Sequence, residues 1–254
     1  KQMGHLKEIE RGDIRFEHVS FSYDGKQDVL KDISFEVKNG ETIAFVGHTG
    51  SGKSSIINLF MRFYEFDRGR ILIDGHDIKD YSQEALRKSI GLVLQEPFLY
   101  HGTITSNIRM YHEELTEAEI RQAAAFVDVA DFIESLPGGY NHPVTERGST
   151  LSTGQRQLLA FARTIAAQPK ILILDEATAN IDQETEEMIQ NSLKKMRQGR
   201  TTIAIAHRLS TIQDADCIYV LDKGKIIESG NHDQLIALGG TYKKMYDLQA
   251  GMMK

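Results

Sequence analysis

The sequence has almost no cysteine and no tryptophan: Cys217 is the single cysteine among 254 residues. One cysteine cannot form a disulfide within the chain, so a disulfide framework is excluded and a reducing, intracellular compartment is the simpler expectation. Because Cys217 lies in the apolar stretch DCIYVL, we interpret it as a small hydrophobic residue of a strand.

Long apolar runs and an excess of positive charge are also missing. No stretch approaches the ~20 apolar residues of a membrane helix, and no signal-peptide pattern is present. Lysine and arginine number 30 against 36 acidic residues, a net charge of −6. Proteins that bind nucleic acid usually carry a basic patch, so we expect no nucleic-acid partner. The chain begins at Lys1, which we interpret as the start of a fragment or of a processed product.

The order of short apolar segments predicts an α/β fold. IRFEHVSFSY alternates with period two and runs into Asp-Gly, a hairpin signal, and TIAFVG is typical of a buried parallel strand. Farther on, strand KILILD, a helix over about 183–196, strand TTIAIAH and the hairpin CIYVLDKGKIIES follow one another. Strand–helix alternation indicates a parallel sheet with helices on its faces. The middle is predicted to be helical, with Ser82 and Thr116 as helix caps.

A glycine-rich loop lies between the strand TIAFV and the apolar helix SIINLFMRFY. It matches G-x-x-x-x-G-K-[ST], the pattern of a phosphate-binding loop, in the strand–loop–helix context that this loop requires. Glycines let backbone N–H groups surround phosphate oxygens, a lysine reaches the β- and γ-phosphates, and a serine hydroxyl binds Mg²⁺. The predicted nucleotide-binding residues are Gly47, His48, Thr49, Gly50, Ser51, Gly52, Lys53, Ser54 and Ser55.

Three further predicted strands end on polar residues: IGLVL on Gln95, KILIL on Asp175 and Glu176, and TTIAIA on His207. Ligands of open α/β sheets bind at the carboxyl ends of strands. Asp175 is placed to hold Mg²⁺ through water, and Glu176 to polarise an attacking water as a general base. From the residues alone, Glu176 also fits a helix cap, Gln95 a strand end, and His207 a structural histidine.

The stretch LSTGQRQ precedes an amphipathic helix. We interpret it as a bare helix N-terminus, and such termini attract anions. Its residues are Leu151, Ser152, Thr153, Gly154 and Gln155.

Taken together, these motifs resemble the nucleotide-binding domain of ABC transporters over nearly the whole chain. GHTGSGKSS looks like Walker A, ILILD with Glu176 like Walker B and its catalytic glutamate, and LSTGQ like the signature. Gln95 falls at the Q-loop and His207 at the switch histidine. ATANID, ending at Asp182, looks like the D-loop, and Tyr23 in FSYDG sits where an aromatic residue of the family stacks on adenine.

The resemblance implies an α/β P-loop NTPase (RecA-like) fold with a parallel-sheet core. An N-terminal antiparallel β subdomain and an inserted helical subdomain complete a single domain over 1–254. Residues 1–12 would be a linker, about 13–85 and 168–254 the β subdomain and core, and about 86–167 the helical subdomain. The implied cofactors are ATP and Mg²⁺, with Mg²⁺ held by Ser54, Gln95 and, through water, Asp175. Glu176, His207, Lys53 and Gln95 would be catalytic.

TERGSTLSTGQ and EPFLYHGTITSNI resemble the exporter branch of the family. This implies a transmembrane domain fused N-terminally and a position at the cytoplasmic face of a membrane. It also implies a second ABC ATPase domain, bound head to tail, whose ATP would meet Ser152 and Gly154. Thr153 stands where the family has glycine, and ANID replaces S-A-L-D. Either the chain is one half of a heterodimeric exporter with a slightly altered signature, or these are neutral changes in a homodimer.

Two other functions compete with an export ATPase. A regulatory module that binds ATP with little turnover would have no need of a carboxylate at Glu176. A soluble ABC ATPase acting on DNA or ribosomes would need a long coiled coil or two tandem cassettes. The interval from Lys53 to Leu151 contains no heptad run, and the chain has one cassette.

Overall fold

The structure is a computed structural model that describes residues 4–48, 50–94, 97–145, 150–176 and 183–251. Two compact units are present. The first comprises 1–90, 170–176 and 199–254, and the second comprises 91–169 and 177–198.

The strands and helices predicted from the hydrophobic pattern occur in the predicted order, and two helices that were not predicted follow the C-terminal hairpin. The strands are β1 (Ile14–Phe21), β2 (Leu30–Val37), β3 (Thr42–Val46), β4 (Arg68–Ile73), β5 (His76–Asp77), β6 (Ile90–Val93), β7 (Gly102–Thr103), β8 (Pro143–Val144), β9 (Ile171–Asp175), β10 (Thr201–Ile205), β11 (Cys217–Asp222) and β12 (Lys225–Gly230). The helices are α1 (Lys53–Phe60), α2 (Gln83–Ser89), α3 (Ile104–Arg109), α4 (Glu117–Phe126), α5 (Ala130–Ser135), α6 (Thr153–Ala166), α7 (Gln183–Arg197), α8 (His232–Leu238) and α9 (Thr241–Gln249).

The first unit contains a parallel core sheet with strand order β12-β11-β3-β10-β9. β11, β3, β10 and β9 are parallel, with Ala44 of β3 opposite Ala204 of β10, while β12 pairs antiparallel with β11. β3 and β10 are buried along their whole length, as their uninterrupted Thr, Ile, Ala, Phe and Val content requires. The predicted parallel sheet and the C-terminal hairpin are therefore confirmed. Cys217 begins β11 but is only half-buried.

An antiparallel sheet with strand order β2-β1-β4-β5 forms the rest of the first unit's β structure. β1 and β2 form the predicted hairpin, with Phe21 opposite Leu30. The loop 22–29 between them is longer than the tight turn that Asp24-Gly25 suggested. The Asp24 carboxylate accepts the backbone N–H groups of Lys26 and Gln27, and these bonds lower the pKa of Asp24 to about 2.

The N-terminal residues from Gly4 onward are attached to the first unit. Leu6 bridges to Tyr81, and Ile9 is buried. The Asp74 carboxylate accepts four backbone N–H groups of residues 10–13 at 2.8–3.0 Å. The part of the expected linker that the structure describes is thus held by specific hydrogen bonds.

The second unit is mainly helical, with α6 packed against α3, α4 and α7. The predicted capping box of α4 is present, since Thr116 and Glu119 bond each other's backbone N–H groups. Lys195 of α7 forms an ion pair of 2.8 Å with Asp128, and Ser192 donates to the Val127 carbonyl. In the part of the chain that the structure describes, no helix has both the length and the apolar character that crossing a membrane demands.

Candidate nucleotide-binding site

The loop after β3 needs glycine for reasons visible in its packing. A Cβ at Gly47 would lie 2.4 Å from the Leu221 carbonyl oxygen and 2.7 Å from Ser51 Oγ. Gly52 has φ +109°, and its Cβ would lie 3.0 Å from the Val29 carbonyl oxygen. A side chain at Gly47 would collide with β11, and one at Gly52 would be strained by the left-handed φ and would crowd the residue before β2. The two motif glycines therefore allow the loop to fold back closely on the sheet.

The N-terminus of α1 has the properties of an anion site. No side chain caps it, and its first turn has no acidic residue. The N-cap side chains of Ser82, Thr103, Thr116, Ser152 and Asn231 cap α2, α3, α4, α6 and α8, whereas α5 and α9 resemble α1 in having no such cap. The buried Ser51 hydroxyl beside α1 has no hydrogen-bond partner. Unsatisfied donors at a helix N-terminus match a bound phosphate.

Lys53, the first residue of α1, is buried, with its Nζ donating to the Gly47 carbonyl at 2.6 Å. Burial lowers the pKa of Lys53, and the Asp175 carboxylate acts in the opposite direction. The ammonium group is thus held inside the glycine loop, where a phosphate would be its natural counterion.

The ends of β3, β9 and β10 bring three titratable groups together. The backbone ladder continues past the strands, since Glu176 N donates to the Ile205 carbonyl at 3.0 Å and Ala206 N to the Phe45 carbonyl at 3.0 Å. Burial raises the pKa of Asp175, while His207 and Lys53 oppose that shift. Burial also lowers the pKa of His207, and Lys53 adds to that effect. Because β9 and β10 are parallel neighbours, Asp175 and His207 lie at the same ends of adjacent strands, and each interacts electrostatically with Lys53.

Tyr23 presents an aromatic ring beside α1, and 46% of the residue is exposed. Its hydroxyl lies 2.9 Å from Ser55 Oγ and accepts from Asn58 Nδ2 at 2.9 Å. The rings of Phe21 and Tyr64 contact it edge-on, each with centroids 4.8 Å away. The ring is therefore fixed in orientation while keeping exposed surface. Sequence reasoning missed Asn58 and Tyr64. The available signal was a half-buried polar residue one turn into α1 and an exposed aromatic residue just after that helix.

The interpretation of the α6 N-terminus as bare is wrong. Ser152 Oγ accepts from Gln155 N, and Gln155 Oε1 accepts from Ser152 N, which completes a capping box. The S-x-x-Q pattern that produces this box is itself in the sequence. Arg156 donates to the hydroxyl of Thr153 at 3.2 Å, and Gly154 is buried. Leu151, which precedes the cap, is also buried.

Three predicted site residues, Thr49, Gln95 and Asp182, lie outside the described residues. Of the others, His48 and Gly50 are exposed, as is Ser54 on the first turn of α1. Among the residues that the structure describes, no cluster of three or more His, Cys, Asp or Glu side chains could hold a metal. A site with one hydroxyl and one carboxylate fits Mg²⁺, which is usually bound together with substrate phosphates and keeps several waters.

The fold and this arrangement of phosphate loop and strand-end residues define an ATP-binding domain of the P-loop class. The family model "ABC transporter" matches residues 30–179, and the chain belongs to this family. The chain is 74% identical over 245 residues to exp8 of Streptococcus pneumoniae, named as an ABC transporter ATP-binding protein. The match covers 96% of this chain and 42% of exp8.

A second relative and a solved structure agree with this assignment. YheH of Bacillus subtilis, named as a multidrug resistance ABC transporter ATP-binding/permease protein, is 55% identical over 96% of this chain and 36% of its own length. The structure of a bacterial Atm1-family ABC exporter with ATP bound superimposes with a TM-score of 0.90 and 43% identity. That match covers 98% of this chain and 43% of the exporter chain. The chain thus spans less than half the length of these relatives.

Proposed function

We propose that the chain binds and hydrolyses ATP to drive export of a substrate across a membrane. The observation that carries this proposal is the buried Lys53 ammonium inside the glycine loop, in electrostatic contact with Asp175 and His207 at the ends of neighbouring strands. A buried cation beside an uncapped helix N-terminus does not stabilise a fold by itself, because both carry positive charge. The names of YheH and the exporter structure support the export part.

In this proposal the chain's own residues bind ATP, orient its phosphates and activate the attacking water. The N–H groups of the α1 terminus and the Lys53 ammonium bind phosphate oxygens, and Tyr23 stacks on the adenine. Ser54, Gln95 and, through water, Asp175 would hold Mg²⁺, which when bound would neutralise charge on the transferred phosphoryl group. Glu176 accepts a proton from the attacking water as general base, and His207 orients the reacting groups.

The proposal includes a second ATPase domain bound head to tail. Residues 151–155 at the start of α6 would then meet the ATP held by the partner domain. The capping box leaves the remaining first-turn N–H groups of α6 for that contact. Thr153→Gly tests the altered signature: unchanged turnover in every assembly would make the substitution neutral, and faster turnover would show that Thr153 weakens the signature.

A transmembrane domain is the other proposed partner, at the cytoplasmic face of the membrane. The second unit carries an exposed aromatic surface, formed by Phe98 (54% exposed) and Tyr100 (43% exposed). Arg163 of α6 fixes it by donating to the Phe98 and Asn107 carbonyls, each at 2.8 Å. Exposed aromatic side chains on a backbone segment fixed by a half-buried arginine are typical of a binding surface.

Replacement of Glu176 by glutamine tests the catalytic role. We expect Glu176→Gln to lower the ATPase rate of the full-length protein by at least about a hundredfold, because a general base contributes that much or more. Binding of ATP should persist, since the amide keeps the size of the side chain. ATP binding and phosphate release would be measured side by side. Glu187→Gln, an exposed glutamate on α7, is the matched control.

The same measurement separates the competing functions. Turnover that is absent from the unmodified protein, despite tight ATP binding, would support the regulatory module instead. Turnover that survives in Glu176→Gln would remove Glu176 from the mechanism. A rate per chain that rises with protein concentration would support assembly of two identical chains.

A further inference from the structure

The segment that carries His207 depends on a distant residue for its hydrogen bonds. After β10, the chain passes through His207 and enters a short 3₁₀ turn, Leu209–Thr211. No side-chain hydrogen bond from Arg208, the residue at the N-cap position, caps this turn. Leu209 is fully buried, so its backbone N–H needs a partner from the protein.

Gln249, the last residue of α9, supplies that partner. Its Oε1 accepts from Leu209 N at 2.9 Å, and its Nε2 donates to the His207 carbonyl at 2.8 Å. Both ends of one carboxamide thus bond the backbone on either side of residue 208. A planar amide with two bonds of good length fixes both the position and the orientation of this segment.

Helix α9 is fixed to the rest of the first unit by several hydrogen bonds, so it can hold Gln249 in place. The Glu228 carboxylate of β12 accepts the N–H groups of Thr241 and Tyr242 at the start of the helix. Tyr242 is fully buried, and its hydroxyl lies 2.7 Å from His232 Nδ1. Farther along, the Tyr246 hydroxyl accepts from Gln213 Nε2 at 3.3 Å, which adds a second contact with the segment after β10.

We propose that Gln249 is a positioning residue for His207 in ATP hydrolysis. The inference rests on the proposed function, in which His207 orients the reacting groups. Because Gln249 bonds the backbone of residues 207 and 209 and lies on another element, it acts through His207 and not on ATP. Its loss should therefore change the catalytic step and leave nucleotide binding intact.

Gln249→Met tests this role, because methionine keeps the length and helix preference of glutamine but cannot form either bond. In the full-length protein we expect kcat to fall about tenfold, since small displacements of catalytic groups cost up to about a hundredfold. The KM for ATP and the dissociation constant of a fluorescent ATP analogue should change less than about twofold. Gln198→Met, an exposed glutamine just after α7, is the matched control and should leave all three values unchanged.

A double-mutant cycle with His207→Ala distinguishes positioning from general loss of structure. Hydrolysis would be followed with radiolabelled ATP so that slow variants remain measurable. If Gln249 acts through His207, Gln249→Met should have almost no additional effect in the His207→Ala background. An equal loss in both backgrounds, a parallel rise in KM, or an unchanged kcat would overturn the proposal.

The control with Glu176→Gln keeps the two proposals separable. If Glu176→Gln abolishes turnover and Gln249→Met does not lower it, the positioning role fails while the ATPase function stands. If the unmodified protein has no turnover that depends on Glu176, the proposed function itself fails.

Discussion

The glycines of the phosphate loop have different surroundings, and this difference leads to a sharp prediction. A Cβ at Gly50 would meet nothing within 4 Å, whereas a Cβ at Gly47 would collide with the Leu221 carbonyl. We therefore expect Gly47 to be required for folding of the loop and Gly50 to be required for space that the phosphates of ATP occupy. Gly75, in the β4–β5 turn, is the matched reference, because it also has open space and its φ is +81° against +82° for Gly50.

The expected loss of stability follows from the backbone conformation of the two glycines. An alanine in the left-handed region costs about 1–2 kcal/mol, which corresponds to a fall in melting temperature of about 2–8 °C for a chain of this size. Gly50→Ala and Gly75→Ala should share that loss without ATP. Only Gly50→Ala should also weaken ATP binding, because its methyl group would occupy space needed by the phosphates and displace one of their hydrogen bonds. One hydrogen bond to a charged group contributes about 1.5–3 kcal/mol, which corresponds to about tenfold or more in affinity.

Thermal melting without ATP and titration with a fluorescent ATP analogue measure the two quantities separately. Gly47→Ala should melt well below both other variants, because it adds a collision with backbone to the strain. The reasoning is refuted if Gly50→Ala binds ATP as tightly as Gly75→Ala does. It is also refuted if Gly47→Ala melts together with the other two.

Two further changes test the base-stacking residue and the attachment of the N-terminal segment. Tyr23→Ala should weaken ATP binding by about 1–3 kcal/mol through loss of stacking, whereas Tyr23→Phe, which loses only the bonds to Ser55 and Asn58, should weaken it less than tenfold in the same titration. Equal losses would contradict a stacking role. Asp74→Asn should increase hydrogen exchange at residues 10–13, because an amide N–H₂ group would face two of the four backbone donors. Asp80→Asn, at an exposed position, is the control. Equal exchange in the two variants would argue against the attachment of the N-terminal segment by Asp74.

The parts of the site that the sequence predicts are those set by local pattern. A buried strand followed by glycines and Lys53 determines the phosphate loop, and parallel strands bring Asp175 and His207 to the same edge of the sheet. The parts that it does not predict are contacts between residues far apart in the chain. Gln249 is 42 residues from His207, and Asp74 is more than 60 from the N–H groups that it accepts. Neither side chain belongs to a periodic pattern, so only the folded chain shows what it contacts.

The capping box of α6 has a consequence for repeated cycles of ATP binding and release. A helix whose first turn depended on a partner's phosphate would fray whenever the nucleotide left, and each cycle would then include a refolding step. Ser152 and Gln155 satisfy each other's backbone N–H groups within the chain. When the proposed dimer opens, it therefore loses only the contacts across the interface, and α6 keeps its first turn. The first turn of α6 therefore stays helical between binding events. The conformational entropy of ordering this turn is lost once, during folding, and is not lost again in each turnover.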